Sequence, residues 1–251
     1  MLTGGLRRVE QVMGLPISVD LRDGDEWAHH AVDRAFAWLR EVDLRFSPFR
    51  PESEVARHGR SELAPQDMSA DLTHVIDLCA HYEKSTGGAF TTRLPGHSFD
   101  PCAVVKGWAV QGAAEMLHDA GARRFCVNAG GDVVTSGEPE PGTPWRVGVR
   151  HPEHADQLCA VLALRNGAVA TSAAYERGAH IIDGRTGKPA RGLLSITITA
   201  PDLTTADAVA TAAFAMGVEG ITWAAEQPNC EIFAVDSAHR VFRSPGLPIA
   251  S

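Results

Sequence analysis

No stretch of the 251-residue chain approaches the roughly 18 consecutive apolar residues of a membrane-spanning helix, so no membrane span is expected. No block of Lys and Arg interleaved with aromatics occurs, and the formal net charge is −8. That argues against nucleic-acid binding, and it means that any bound anion must be met by local groups rather than by a global positive field. The five cysteines (Cys79, Cys102, Cys126, Cys159 and Cys230) are odd in number and nowhere spaced as CxxC. The chain is also long for a disulfide scaffold, so reduced thiols of a cytoplasmic protein, mostly in its core, are expected. The opening MLTGGLRRVEQVMG has basic residues without a following apolar segment, so neither a signal peptide nor a lipoprotein leader is expected. GxGxxG, GxxxxGK[ST] and GxSxG are all absent, which leaves no dinucleotide fingerprint, no P-loop and no hydrolase elbow.

What is present is enough to build a core: 44% of residues are hydrophobic and 22% charged. Residues 9–22 read as one strand with a turn or bulge at Gly14 and Pro16. From Asp25, Trp27, Ala31, Ala35 and Leu39 form an apolar helical stripe, widened by Val32 and Phe36. FSPFRPESEVARHG (46–59) reads as a loop and a short helix, and 69–88 as a helix capped by Ser69 or Asp71 and stopped by glycine. KGWAVQGAAEMLHDAGA (106–122) predicts a helix beginning near Lys106. The second half holds short β-like runs, RRFCVNAGGDVVTSG, WRVGVR, LCAVLAL, GAVATS and LLSITITA. Helices at 204–217 and near 219–227 follow, then strands EIFAVDS and RVFRS. Helices and strands mix without strict βαβ alternation, which favours an α+β fold.

Four places carry chemistry. NAGGD (128–132) follows a strand-like run, and its paired glycines suit either close approach of a ligand or an ordinary hairpin turn. Lys106 and Gly107, at the expected start of a helix, suit an anion, while the alternative is a lysine stem lying along the first turn. Cys102 nearby is expected to pack rather than react. The stretch 171–192 gathers Thr171, Ser172, His180, Asp183 and a D-G-R-T-G turn, although a lone histidine before a strand is more often structural. His151 and His154 lack a third zinc ligand nearby. In TTADAVATAAFAMG (204–217), Asp207 and Thr211 stand four apart and share a helix face. With Thr204 as N-cap, Asp207 would fall at the third helical position as part of a capping box. The competing reading is a pair of hard oxygens offered to Mg²⁺.

Taken in order, FSPFRPESEVAR, STGGAF, DPCAVVKGWAV, NAGGD, PWRVGVRHP, VATSAAYER with HIIDGRTGKP, and ADAVATAAFAMG resemble the FAD:protein FMN transferases, the ApbE family, from about Phe46 to Gly217. The resemblance implies one α+β flavin-transferase domain over 1–251 with mostly antiparallel strands, FAD as donor and Mg²⁺ as metal. It implies Asp207, Thr211 and the Ala103 carbonyl as metal ligands, with Lys106 and Gly107 by the pyrophosphate. Gly130, Gly131, Asp132, Thr171 and Ser172 would line the flavin site, and His180 would be a candidate acid/base with Lys106 also placed in the catalytic group. The implied partners are FAD and an acceptor protein with a Thr or Ser hydroxyl, with a homodimer left open. Hydrolysis of FAD to FMN and AMP, or flavin binding without turnover, are the alternatives. Departures from the family pattern are Thr91 and Gln111 where Asp is expected, Gly59 where Asn is expected, and Ala173 in place of Gly.

Overall fold

In the computed structural model, residues 5–94, 96–175 and 181–250 are described. The chain opens with β1 (Leu6–Val12) and β2 (Leu15–Leu21), then the helices α1 (Glu26–Phe46), α2 (Glu54–Gly59), α3 (Ala70–Ser85) and α4 (Cys102–Asp119). Strands β3 (Phe125–Ala129), β4 (Asp132–Ser136), β5 (Trp145–Arg150), β6 (Leu158–Leu164), β7 (Gly167–Ala173), β8 (Ile182–Asp183), β9 (Lys188–Pro189) and β10 (Leu193–Ala200) follow. Helices α5 (Leu203–Met216) and α6 (Glu219–Ala225) and strands β11 (Glu231–Asp236) and β12 (Val241–Arg243) complete it. Eight strands form one antiparallel sheet in the order β1-β2-β3-β4-β7-β10-β11-β12, and β5-β6 and β8-β9 are separate hairpins. The α+β expectation therefore holds.

The central strands of the sheet are buried on both faces. Side chains alternate across a strand, so Ala168, Ala170, Ile196 and Ile198 pack with α1, α4 and α5. Val169 and Val133, with Phe233 and Val235, face the other way onto Val147, Val149, Leu162 and Leu164 of the β5-β6 hairpin. Such two-sided burial explains why β7 and β10 read as almost continuous apolar runs. Ser69 caps α3 by accepting from Leu72 N–H, as its sequence position suggests, and Gly87 (φ 59°) turns the chain beyond its end.

Three expectations change. Residues 9–22 are not one strand but a hairpin whose two-residue turn is Met13–Gly14, both at positive φ (54° and 73°). This is the twist that tight hairpins need, made without the Asn-Gly pair that usually signals it. Helix α4 starts at Cys102, four residues before Lys106, because Asp100 Oδ1 accepts the Cys102 N–H at 2.9 Å and opens the helix there. The cysteines are less buried than expected: Cys79 and Cys230 are in the core, but Cys102, at the first helical position, is exposed.

Candidate functional site

The centre of the site is the contact between α4 and α5. Gly107 N–H donates to Asp207 Oδ2 at 2.9 Å, and Leu203 N–H donates to Gln111 Oε1 at 3.0 Å. Residue 107 thus lies opposite 207, and 111 opposite 203. The two helices run antiparallel, and one further turn of this register sets Ala103 opposite Thr211. Glycine is required at 107: a Cβ there would lie 2.6 Å from the Leu203 carbonyl oxygen and 2.7 Å from Asp207 Cβ. The small-residue character of both helices is what allows this approach.

The capping explanation of Asp207 does not hold. The N-cap of α5 is Asp202, whose carboxylate accepts from Thr205 N–H at 2.8 Å and Thr205 Oγ1 at 2.9 Å. Thr204 is therefore inside the helix. Asp207 is the fifth helical residue, beyond the four orphan amides that a cap serves. It is instead a carboxylate only 2% exposed, turned toward α4. Lys106 likewise does not sit at a helix N-terminus. It projects from the second turn of α4 and bridges two acids, with Nζ 2.5 Å from Asp132 Oδ2 and 3.2 Å from Asp207 Oδ1.

Asp132 arrives from the sheet. Gly130 and Gly131, at φ 64° and 111°, form the two-residue turn between β3 and β4, so the plain-turn reading of NAGGD holds for the backbone. The turn delivers Asp132 at the head of β4, buried at 3% exposure. Its Oδ1 accepts from Thr171 N–H at 3.1 Å. Its Oδ2 meets the Lys106 ammonium as an ion pair, not as a well-directed hydrogen bond. Thr171 Oγ1 reaches Thr197 Oγ1 at 2.8 Å across the β7-β10 register, and Ser172, on the opposite face of β7, places its hydroxyl 3.3 Å from Thr211 Oγ1.

The structure thus gathers Ala103, Lys106, Gly107, Asp132, Thr171, Ser172, Asp207 and Thr211 around one helix pair and the adjoining strand ends. Gly130 and Gly131 lie at its rim. His180 lies outside the described residues. With Asp132 and Asp207 ionised, one lysine leaves a net charge of −1. Burial pushes the Asp207 carboxyl up, from 3.8 to about 7; the Lys106 charge opposes that rise and the Asp132 charge adds to it. Among the described residues no group of three or more His, Cys, Asp or Glu could hold a metal. One carboxylate, one hydroxyl and one main-chain carbonyl are the oxygen donors a hard cation takes, and are not the nitrogen and sulfur donors of a zinc site. The usual helical donor to the Ala103 carbonyl is Gly107 N–H, which Asp207 engages.

Sequence reasoning missed the Lys106–Asp132 ion pair, which joins residues 26 apart through tertiary packing alone, and Thr197. The hydroxyl of Thr197 could have been sought from the two-residue period that sets it on the Thr171 face. The departures also acquire positions. Gln111 serves the first amide of α5 and donates to Glu115 Oε1 at 3.0 Å. Thr91 packs where Gly184 docks, since a Cβ on Gly184 would lie 2.5 Å from Thr91 Cγ2. Gly59 ends α2 against Phe99, and Ala173 is fully buried opposite Ser195. The D-G-R-T-G stretch is the expected turn, closed by Gly187 N–H to the Asp183 carbonyl at 2.8 Å.

A family model described as the ApbE family matches residues 13–94 and 91–234. The chain belongs to the ApbE family. It is 31% identical over 198 residues to the FAD:protein FMN transferase of Haemophilus influenzae, covering 74% of this chain and 56% of that protein. It is 35% identical over 168 residues to that of Rhodobacter capsulatus, covering 64% and 31%. The chain spans about half the length of the first curated relatives it matches. Two solved structures share the ApbE fold almost end to end. The ApbE protein of Thermotoga maritima has a TM-score of 0.82 at 23% identity, covering 96% of this chain and 97% of that one. The flavin transferase ApbE of Vibrio cholerae has a TM-score of 0.83 at 20% identity, with the same coverage. Among the described residues, no helix is long and apolar enough to cross a membrane.

Proposed function

We propose that this chain transfers FMN from FAD to a Thr or Ser hydroxyl of an acceptor protein, releasing AMP, in a reaction that depends on Mg²⁺. The observation that carries this reading is the state of Asp207. It is buried, has no capping duty, is raised toward neutrality, and stands one helical turn from Thr211. In support, the curated relatives are named FAD:protein FMN transferases.

In this account Asp207, Thr211 and the Ala103 carbonyl would hold Mg²⁺. Mg²⁺ held there supplies charge neutralisation for the pyrophosphate. Gly107 orients the Asp207 carboxylate through its N–H, and Ser172 orients the Thr211 hydroxyl. Lys106, released in part from Asp207, presents its ammonium to the phosphate oxygens while Asp132 keeps it in place. Gly130 and Gly131 let the backbone approach the flavin part of the substrate. The acceptor hydroxyl oxygen forms a bond to the FMN phosphorus, the bond from that phosphorus to the bridging oxygen breaks, and AMP leaves with that oxygen. His180 is the candidate base for the hydroxyl proton. Such a reaction is governed by positioning and electrostatics rather than by a covalent enzyme intermediate.

The test is incubation of the purified protein with FAD and candidate acceptors, with and without Mg²⁺. Intact-mass measurement would follow the acceptor and chromatography would follow AMP. Mg²⁺-dependent AMP release with an FMN mass on the acceptor supports transfer. AMP and free FMN without a labelled protein replaces transfer with hydrolysis. FAD retention without AMP leaves a flavin-binding protein.

A further inference from the structure

The eight-stranded sheet ends at β1, and the geometry of its hairpin fixes which atoms face outward. Across a two-residue turn the flanking pair, Val12 and Leu15, is hydrogen-bonded, so Glu10, Arg8 and Leu6 also bond to β2. Gln11 lies opposite Pro16, which has no N–H to give, in keeping with this alternation. The N–H and C=O groups of Arg7, Val9 and Gln11 therefore point away from β2, and among the described residues no strand pairs with them. Val9 is also one of the most exposed large apolar residues, at 55%. An open, seven-residue edge with an apolar centre invites a further strand.

We propose that the partner is a second copy of this chain, whose own β1 adds antiparallel about a two-fold axis through Val9. The charges favour this register over its immediate neighbours. Arg8 and Glu10 both lie on the α1 side of β1, where Arg8 pairs with Asp33 and Glu10 with Arg40, and Arg8 Nη2 lies 2.5 Å from Glu10 Oε1. The edge thus carries a row of alternating charge: Asp33, Arg8, Glu10, Arg40. Centring the two-fold on Val9 sets Arg8 opposite the second copy's Glu10 and Glu10 opposite its Arg8. Arg7 then meets Gln11, Leu6 meets Val12, and Val9 meets Val9. A two-fold that keeps both α1 helices on one side of the sheet must be centred on a residue. Centring on Arg7, Arg8 or Glu10 sets like charges face to face, which is destabilising at directly opposed positions. At the Val9 centre the three outward residues exchange six main-chain hydrogen bonds with their counterparts, joining two eight-stranded sheets into one.

A strand pair of this length buries less than the roughly 1,600 Å² of a standard interface, so association in the micromolar range is expected. Light scattering coupled to size exclusion, at about 5 to 100 µM protein in low salt, should give a mass rising toward twice that of the chain. Val9→Lys and Val9→Glu each put like charges on the axis while leaving the bonds to β2 intact. Each should elute at the mass of one chain with an unchanged melting temperature. Mixed in equal amounts, the two should return to twice the chain mass, because Lys then faces Glu. A native protein that stays at one chain mass across the range, a Val9→Lys protein that still doubles, or a mixture that does not associate would each overturn the proposal.

Discussion

Gly107→Ala separates the local effect of a residue from its tertiary effect. In an isolated helix the change would be favourable by about 1 kcal/mol, because glycine is a poor helix former. At the α4–α5 contact the new methyl would lie 2.6 Å from the Leu203 carbonyl oxygen and 2.7 Å from Asp207 Cβ. Ordinary carbon contacts lie near 3.5–4.0 Å, so the helices must separate by close to an ångström. Forcing a methylene into a packed core costs about 1–3 kcal/mol, and backbone atoms on the far side leave no flexible side chain to yield. A rigid backbone neighbour puts the cost in the upper part of that range, about 2–3 kcal/mol, and subtracting the helical gain leaves a destabilisation of about 1–2 kcal/mol, or roughly 2–8 °C in melting temperature for a chain of this size. The same shift loosens the bond of Gly107 N–H to Asp207 Oδ2, 2.9 Å in the native protein. Losing an orienting partner of a metal ligand lowers affinity about 10–100-fold. Thermal unfolding without metal and calorimetric Mg²⁺ titration of the folded variant measure the two effects separately. A Gly107→Ala protein as stable as the native one, with Mg²⁺ affinity unchanged, would refute the reasoning.

Two further outcomes follow from the same geometry. The Asp207 carboxyl, raised to about 7 by burial, is protonated in the folded chain and ionised in the unfolded chain between pH 3.8 and about 7. The stability it contributes is therefore complete below pH 3.8 and is lost as pH rises through 7. Mg²⁺ must displace this proton, so its affinity should rise about tenfold per pH unit below 7 and level off above; calorimetry in buffers on either side of pH 7 checks this. Asp202→Ala removes the cap bonds to Thr205 N and Oγ1. It should cost about 1 kcal/mol, or roughly 2–4 °C in melting temperature, and leave Mg²⁺ affinity unchanged. An equal loss of affinity would show that the cap and the site are one unit.

Local signals explain what could be read from the sequence. The apolar stripe of α1, the Ser69 cap, the Gly-Gly turn and the short β-like runs that became β5, β7, β10 and β11 each rest on contacts within a few residues. The sheet order does not: β4 lies beside β7, and β7 beside β10, through pairings that no turn residue announces. Two helix starts were misjudged for one reason. Before each helix an Asp upstream of the expected start accepts the early amide, Asp100 from Cys102 N–H and Asp202 from Thr205 N–H, and the sequence reading set the start later. That Asp207 and Thr211 share one helix face was visible from their spacing, whereas the reason for Gly107 was not. That reason lies 100 residues away, on the facing helix.

The most direct test of the central claim is AMP release from FAD, titrated against Mg²⁺, for the native protein and for Asp207→Asn. This substitution keeps the shape of the side chain and removes the buried charge, so the folded state should survive. The account predicts Mg²⁺-dependent AMP release by the native protein and none by Asp207→Asn at any Mg²⁺ concentration. Undiminished AMP release per folded molecule of Asp207→Asn would contradict it.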